Sequence, residues 1–141
     1  MPMKHIYFAR TLRGDDQITQ ELSDTIQKII RTNGFGTQFT IPVDPTWKEG
    51  VADDVYIYRR DMMWIDACDG MVAEVSSASH GVGYEIAYAH HARHLPILLV
   101  AQKDRSVSAM LTGSGLFPLH FYNDMTELEA AISSFLERLD K

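Results

Sequence analysis

The chain has 141 residues, 45% of them apolar, with 13 Lys and Arg against 19 Asp and Glu for a formal net charge of -6. That size fits one compact domain over residues 1–141, and the acidic balance argues against a general nucleic-acid or membrane-surface binder, which needs a basic face. Cys68 is the only cysteine, so an intramolecular disulfide and a cysteine-rich zinc site are excluded, and a reducing cytoplasm is the expected compartment.

The opening "MPMKHIYFAR" has too short an apolar run for a secretory signal, and no segment approaches the roughly 20 apolar residues that span a bilayer. Within it, "HIYFA" (5–9) predicts a strand that ends in the polar loop "RTLRGDD". Ile18, Leu22, Ile26 and Ile29 then recur at helical spacing, and Asn33-Gly34 suits the end of that helix. "TQFTI" (37–41) predicts a second strand, stopped by Pro42, and residues 42–53 predict a mobile loop with two prolines and a glycine.

From Asp54 to Cys68 the pattern is helical, with Val55, Tyr58, Met62 and Ile65 on one stripe; "GMVAEV" follows as a buried strand. Gly81 and Gly83 predict a turn opening a helix from about Tyr84 to His94. Beyond it come a strand "PILLVA", a short helix "DRSVSAMLTG", a strand "LHFYN" and a last amphipathic helix from Met125. Strands that alternate with helices and are almost wholly apolar imply a mostly parallel, five-stranded sheet covered on both faces. The fold class is therefore α/β: a three-layer sandwich in a flavodoxin-like or related Rossmann-like order.

Ligands of such sheets gather beyond the carboxyl ends of the strands. That rule selects the loops at Arg10–Asp16, Ser76–Gly83 and Gln102–Ser108. Gly81 and Gly83 allow close backbone approach to an anion at a helix N-terminus, Ser79 and Ser108 offer hydroxyls, and Arg13 offers a bidentate fork. A lone G-x-G is more readily read as a plain strand-to-helix turn, and the third glycine of the dinucleotide fingerprint is missing. Glu85 falls in the expected first helical turn, where the dipole favours an ionised carboxylate; it is either an ordinary helix acid or a nucleophile facing the cleft. Tyr7 sits near the end of the first strand, as a packed ring or as a hydroxyl holding Glu85. Asp61 lies off its helical stripe, where it either faces water, the favoured reading, or reaches the cleft rim. His90 and His94 have metal-ligand spacing, but no acid follows His90 in the H-E-x-x-H manner, so no metal is expected.

Taken together, "IYFARTLRG" (6–14), "RDMMWIDACDGMVAEVS" (60–76), "SHGVGYEIAYA" (79–89) and "SVSAM" (106–110) resemble the 2'-deoxynucleoside 5'-phosphate N-hydrolases, relatives of the nucleoside 2-deoxyribosyltransferases. The resemblance implies hydrolysis of a (deoxy)nucleoside 5'-monophosphate to free base and (deoxy)ribose 5-phosphate, with no cofactor. It implies Glu85 as the nucleophile, Tyr7 as the group orienting it and Asp61 near the base and sugar. Arg13, Ser79 and Ser108 match the 5'-phosphate site, Ser108 reaching the neighbouring active site of a homodimer. Two other readings remain: a transferase exchanging bases, and a regulatory module that binds nucleotide without chemistry. Ser79 favours monophosphates over free nucleosides, since the transferases usually carry an acid there, which would repel a phosphate. Arg10 replaces a small residue of the animal hydrolases; the phosphate, the base and solvent are all open to it.

Overall fold

A computed structural model describes residues 2–11 and 19–140. Arg13 and Ile18 therefore lie outside the described residues. The strands β1 (His5–Ala9), β2 (Gly36–Thr37), β3 (Gly70–Glu74), β4 (Ile97–Gln102) and β5 (Leu119–Tyr122) form one sheet in the order β2-β1-β3-β4-β5. Every pairing is parallel. The helices are α1 (Gln20–Thr32), α2 (Asp53–Ala67), α3 (His80–His91), α4 (Ala109–Thr112) and α5 (Met125–Leu139). The expected α/β fold class is thus present, with an all-parallel sheet in flavodoxin-like order.

The sheet separates two apolar layers. Ile6 and Phe8 of β1 pack with residues of α1 and α5, whereas Tyr7 and Ala9 pack with Trp64 and Ile65 of α2 and Val82 and Ile86 of α3. That division is the two-residue alternation of a strand, and it turns the ring of Tyr7 toward α2 and α3. The chain leaves β1 for β2 on one side and returns to β3 on the other, so the switch in strand order lies beside β1, where a parallel sheet opens a crevice.

Three local expectations are corrected. The second strand covers only Gly36–Thr37, and Gln38–Thr40 is a turn of 3-10 helix. Gln38 is 3% exposed; its carboxamide accepts from the Phe8 N–H and donates to the Phe8 carbonyl, both at 2.9 Å. The side chain thus supplies the two ladder bonds that a longer β2 would have made. Helix α3 starts at His80, not at Tyr84, because the Ser79 hydroxyl caps it by accepting from Val82 N–H at 3.2 Å. Gly81 and Gly83 are therefore inside the first helical turn. The helix ends at His91 rather than His94, and His94 leaves it at φ 53. In α2, Val55 and Tyr58 are 44% and 57% exposed while Trp64 and Ile65 are buried. Only the C-terminal half of α2 lies on the sheet.

The end of α1 follows expectation: Gly34 adopts φ 88 and Phe35 N–H returns to Ile30 O. Residues 42–52 form a loop of successive turns, one residue shorter than expected because α2 begins at Asp53, and it is tied down where the Trp64 indole N–H donates to Ile41 O at 3.0 Å. Among the described residues no helix is long and apolar enough to cross a membrane.

Replacing Gln38 with leucine would leave a buried N–H and a buried carbonyl of Phe8 without partners. Gln38→Leu should lower the free energy of unfolding by about 2–4 kcal/mol, read as a fall in the urea midpoint at unchanged slope. A midpoint within error of the parent would show that the carboxamide is dispensable to β1.

Candidate active site

A cavity of about 1050 Å³ opens at the carboxyl end of β1, between the 3-10 turn, α2 and α3. Tyr7, Glu85 and Asp61 line it, as do Arg10, Ser79 and Gly81. Gly83 and Ser108 are not in the lining. No atom would meet a Cβ on Gly83 within 4 Å, so nothing in the fold demands glycine there. Ser108 is exposed and caps α4, accepting from Met110 N–H at 3.2 Å. The expected contribution of the loop after β4 is therefore absent from this chain's own cavity.

The centre of the cavity is a hydrogen bond from the Tyr7 hydroxyl to Glu85 Oε2. Tyr7 is 3% exposed and comes up from β1; Glu85 comes across from α3. Because α3 begins at His80, Glu85 stands beyond the first turn, and the dipole contribution expected for it has largely faded. Burial dominates instead, raising its pKa from 4.5 to about 7. The Tyr7 bond pulls in the opposite direction, the Asp61 charge adds to the rise, and Arg60 counters it. Tyr7 is itself pushed far up, first by burial and then by the charges of Glu85 and Asp61. The hydroxyl is therefore a fixed donor.

Asp61, expected at the solvated surface from its spacing, is only 20% exposed in its side chain and is paired with Arg60 at 2.9 Å. Burial raises its pKa, and the hydrogen bond and charge of Arg60 oppose that. The helical stripe was misplaced by the exposed half of α2: Val55 is exposed, and Ile57 and Tyr58 overhang the cavity instead of packing on the sheet, which brings Asp61 inward. Arg60 rests over the Trp64 ring at 4.7 Å, a cation–π contact that holds the pair in place.

At one end of the cavity lies the N-terminus of α3. Ser79 and Gly81 stand where unpaired N–H groups point outward, and the nearest atom to a Cβ on Gly81 would be Ser79 Oγ at 3.9 Å, so a ligand can come close to the backbone. The loop before Ser79 is pinned by Glu74, 4% exposed, which accepts from Ser76 N–H at 2.6 Å and from the Tyr122 hydroxyl. Gln102 N–H donates in turn to Ser76 Oγ at 2.7 Å. At the other end, Arg10 lies 5.2 Å from the Phe39 ring and bonds Ser23.

Sequence reasoning missed Gln38, Phe39, Arg60, Tyr58 and Tyr84, all of which line the cavity. The adjacent arginines in "YRRD" before an aromatic were a usable signal for Arg60; a polar residue inside an apolar strand was one for Gln38. His90, of the spacing tested for metal, instead stacks edge-on with His91 and Phe117. Among the described residues no three His, Cys, Asp or Glu side chains gather as a metal site.

A crevice at the switch of a parallel sheet, holding a buried carboxylate beside an anion-binding helix end, marks a class of enzymes that handle small phosphorylated or sugar-bearing molecules. The sequence profile of the nucleoside 2-deoxyribosyltransferases matches residues 6–133, and the chain belongs to that family. It is 44% identical over 125 residues, 87% of either chain, to a Syntrophotalea carbinolica protein that bears the name 2'-deoxynucleoside 5'-phosphate N-hydrolase 1 as a provisional one. It is 32% identical to the 5-hydroxymethyl-dUMP N-hydrolase of Esox lucius, across 97% of this chain and 99% of the relative. Among solved structures, a CMP N-glycosidase of Clostridium botulinum superposes with a TM-score of 0.60 at 18% identity, covering 98% of this chain and 100% of that one. At that identity the match speaks for the fold.

The raised carboxyl has a sign that can be tested. In the unfolded chain Glu85 ionises near its ordinary 4.5, in the folded protein near 7, so between these values the native state holds the extra proton. Its burial therefore costs nothing below pH 4.5, and the cost grows as pH rises to 7 and stays above it. Glu85→Gln should raise the unfolding free energy at pH 8 by on the order of 2–3 kcal/mol and leave it nearly unchanged at pH 4.5. Equal effects at both pH values in thermal melts would contradict a raised pKa.

Proposed function

We propose that this chain hydrolyses the N-glycosidic bond of (deoxy)nucleoside 5'-monophosphates, giving free base and (deoxy)ribose 5-phosphate. The observation that carries the reading is the buried Tyr7–Glu85 pair, in one cavity with Ser79 and Gly81 at the N-terminus of α3. The names of the relatives support the same reaction class.

In this reading the 5'-phosphate sits on the α3 N-terminus, held by backbone N–H groups, the Ser79 hydroxyl and Arg13. A Glu85 carboxylate oxygen bonds C1' as the C1'–N bond breaks, and the bonding pair leaves with the base. Asp61, whose pKa burial raises against the pull of Arg60, gives the base its proton in this reading. After the base departs, water attacks C1' of the ester, Asp61 takes back a proton, and Glu85 is released as carboxylate. The departing bond leaves oxocarbenium-like charge at C1', and an ionised Glu85 in a site that excludes water stabilises it. Tyr7 fixes the carboxylate and lowers its pKa, keeping more of it ionised near neutrality.

Ser108 supports a homodimer in this account. It is outside its own cavity, and it begins a short helix whose Met110 is 83% exposed, an apolar projection suited to a second copy. The enzyme would work in the cytoplasm.

Base release from a panel of deoxy- and ribonucleoside monophosphates, with and without an acceptor base, tests the reaction. Glu85→Gln should reduce kcat by about a thousandfold or more while the monophosphate still binds; undiminished turnover would remove Glu85 from the nucleophile role. For the parent, kcat/KM should rise with pH through an acid limb near 7, since only ionised Glu85 attacks. Tyr7→Phe removes a bond that lowers that pKa, so the limb should move to higher pH; a limb unmoved or shifted down would dissociate Tyr7 from Glu85. If Ser108 acts across a dimer, mixing Ser108→Ala with Glu85→Gln should restore more base release than the two separate preparations sum to. Strict additivity after subunit exchange would place Ser108 outside the neighbouring site.

A further inference from the structure

Arg10 is a cationic group of this cavity whose part the hydrolytic reading leaves undefined. It follows β1 directly, and its guanidinium lies 5.2 Å from the Phe39 ring and 5.8 Å from the Phe8 ring. One of its N–H groups donates to Ser23 on α1. No Asp or Glu among the described residues lies within ion-pair distance of it. The half-buried head is therefore braced on its apolar side and by one hydroxyl, and a guanidinium has five donors and no acceptor. Donors remain for a ligand in the cavity that Arg10 lines.

Which part of a nucleotide meets it follows from topology. Ser79 and Gly81 begin α3, which follows β3 on one flank of β1. Phe39 belongs to the 3-10 turn that continues β2, on the opposite flank. Tyr7 and Glu85 stand between the two. A nucleotide with its phosphate on α3 and its anomeric carbon at Glu85 directs its base toward Phe39 and Arg10.

Resting on the hydrolytic reading of this site, we propose that Arg10 reads the base edge farthest from the sugar, selecting 6-oxopurines and 4-oxopyrimidines over their amino counterparts. Guanine offers two adjacent acceptors on that edge and uracil or thymine one carbonyl, which a guanidinium matches. Adenine and cytosine place an amino donor there, donor facing donor. Phe39 adds a ring face beside the guanidinium, and Gln38, whose carboxamide is spent on Phe8, cannot offset the mismatch.

The test is calorimetric binding to the Glu85→Gln protein, which does not depend on turnover. The ligands are dGMP, dAMP, dUMP, dCMP and 2-deoxyribose 5-phosphate. The expected result is dGMP over dAMP and dUMP over dCMP by about tenfold or more, the range one good guanidinium contact gives. Adding Arg10→Met should reduce both ratios to within about twofold by weakening the oxo ligands alone, with 2-deoxyribose 5-phosphate binding unchanged. Arg10→Lys, which keeps the charge and removes the fork, should also lose the preference and guards against a misfolded methionine variant. Absence of the preference in the parent, or its survival in both variants, overturns the proposal. So does equal weakening of all five ligands, which would move Arg10 to the phosphate. If the protein with Glu85 intact releases base from no nucleotide yet the Arg10-dependent preference is measured in the Glu85→Gln protein, the hydrolytic reading fails and this one stands.

Discussion

The arrangement depends on one constraint: a carboxylate on α3 must reach a hydroxyl on β1 across a buried layer. Strand alternation determines the first half, since Tyr7 faces α2 and α3 only because Ile6 and Phe8 face the other way. The cap determines the second half. Successive helical residues are about 100° apart, so moving the helix start by one residue would carry Glu85 out of the cavity. Ser79 therefore has two duties at once. Its hydroxyl sets the phase of α3 through Val82, and it stands among the outward-pointing N–H groups at the cavity's anion-binding end. The network of Glu74, Ser76, Tyr122 and Gln102 fixes the approach to that cap, so the far strands of the sheet help to place a residue of the central cavity.

Much of this was legible in the sequence because most strands are uninterrupted apolar runs, and such runs between amphipathic helices have few packings open to them. β3 and β4 are of this kind, buried along nearly their whole length. The errors have a shared origin in polar or permissive residues whose role is tertiary. Gln38 made a strand appear longer than it is because its side chain, invisible to a periodicity argument, completes the pairing of β1. Gly81 and Gly83 suggested a turn, yet the cap at Ser79 draws both into the helix. Val55 and Tyr58 of α2 suggested a core stripe, although both are exposed and Tyr58 borders the cavity, and that misplaced Asp61. Arg13 falls outside the described residues, so its place rests on resemblance alone.

The electrostatics of the centre are a balance among four groups, none of them free to move independently. Desolvation raises Glu85 and Asp61 together, and the Asp61 charge adds to the rise of Glu85. Tyr7 and Arg60 act from opposite sides: the tyrosine steadies Glu85, while the arginine is bonded to Asp61 and braced on Trp64. Burial thus outweighs any benefit from the start of α3. For a nucleophile this is advantageous in one respect, because a poorly solvated carboxylate gains more from a neighbouring positive centre than a hydrated one does.

The acidic character of the chain constrains the ends of the cavity differently. A protein of net charge -6 offers a phosphate dianion no favourable long-range field, so the anion must be held at short range by neutral donors and local cations. A helix N-terminus and a serine suit that task, since an acid at residue 79 would add its own charge to an unfavourable background. A base carries no net charge and can be recognised only by the direction of its donors and acceptors. In the proposed reading the opposite flank meets that requirement with the Arg10 guanidinium, which is held against Phe39 and Ser23. In the proposed reading charge serves for grip at one end and for orientation at the other, and the Tyr7–Glu85 pair meets the glycosidic bond of a molecule held at both ends.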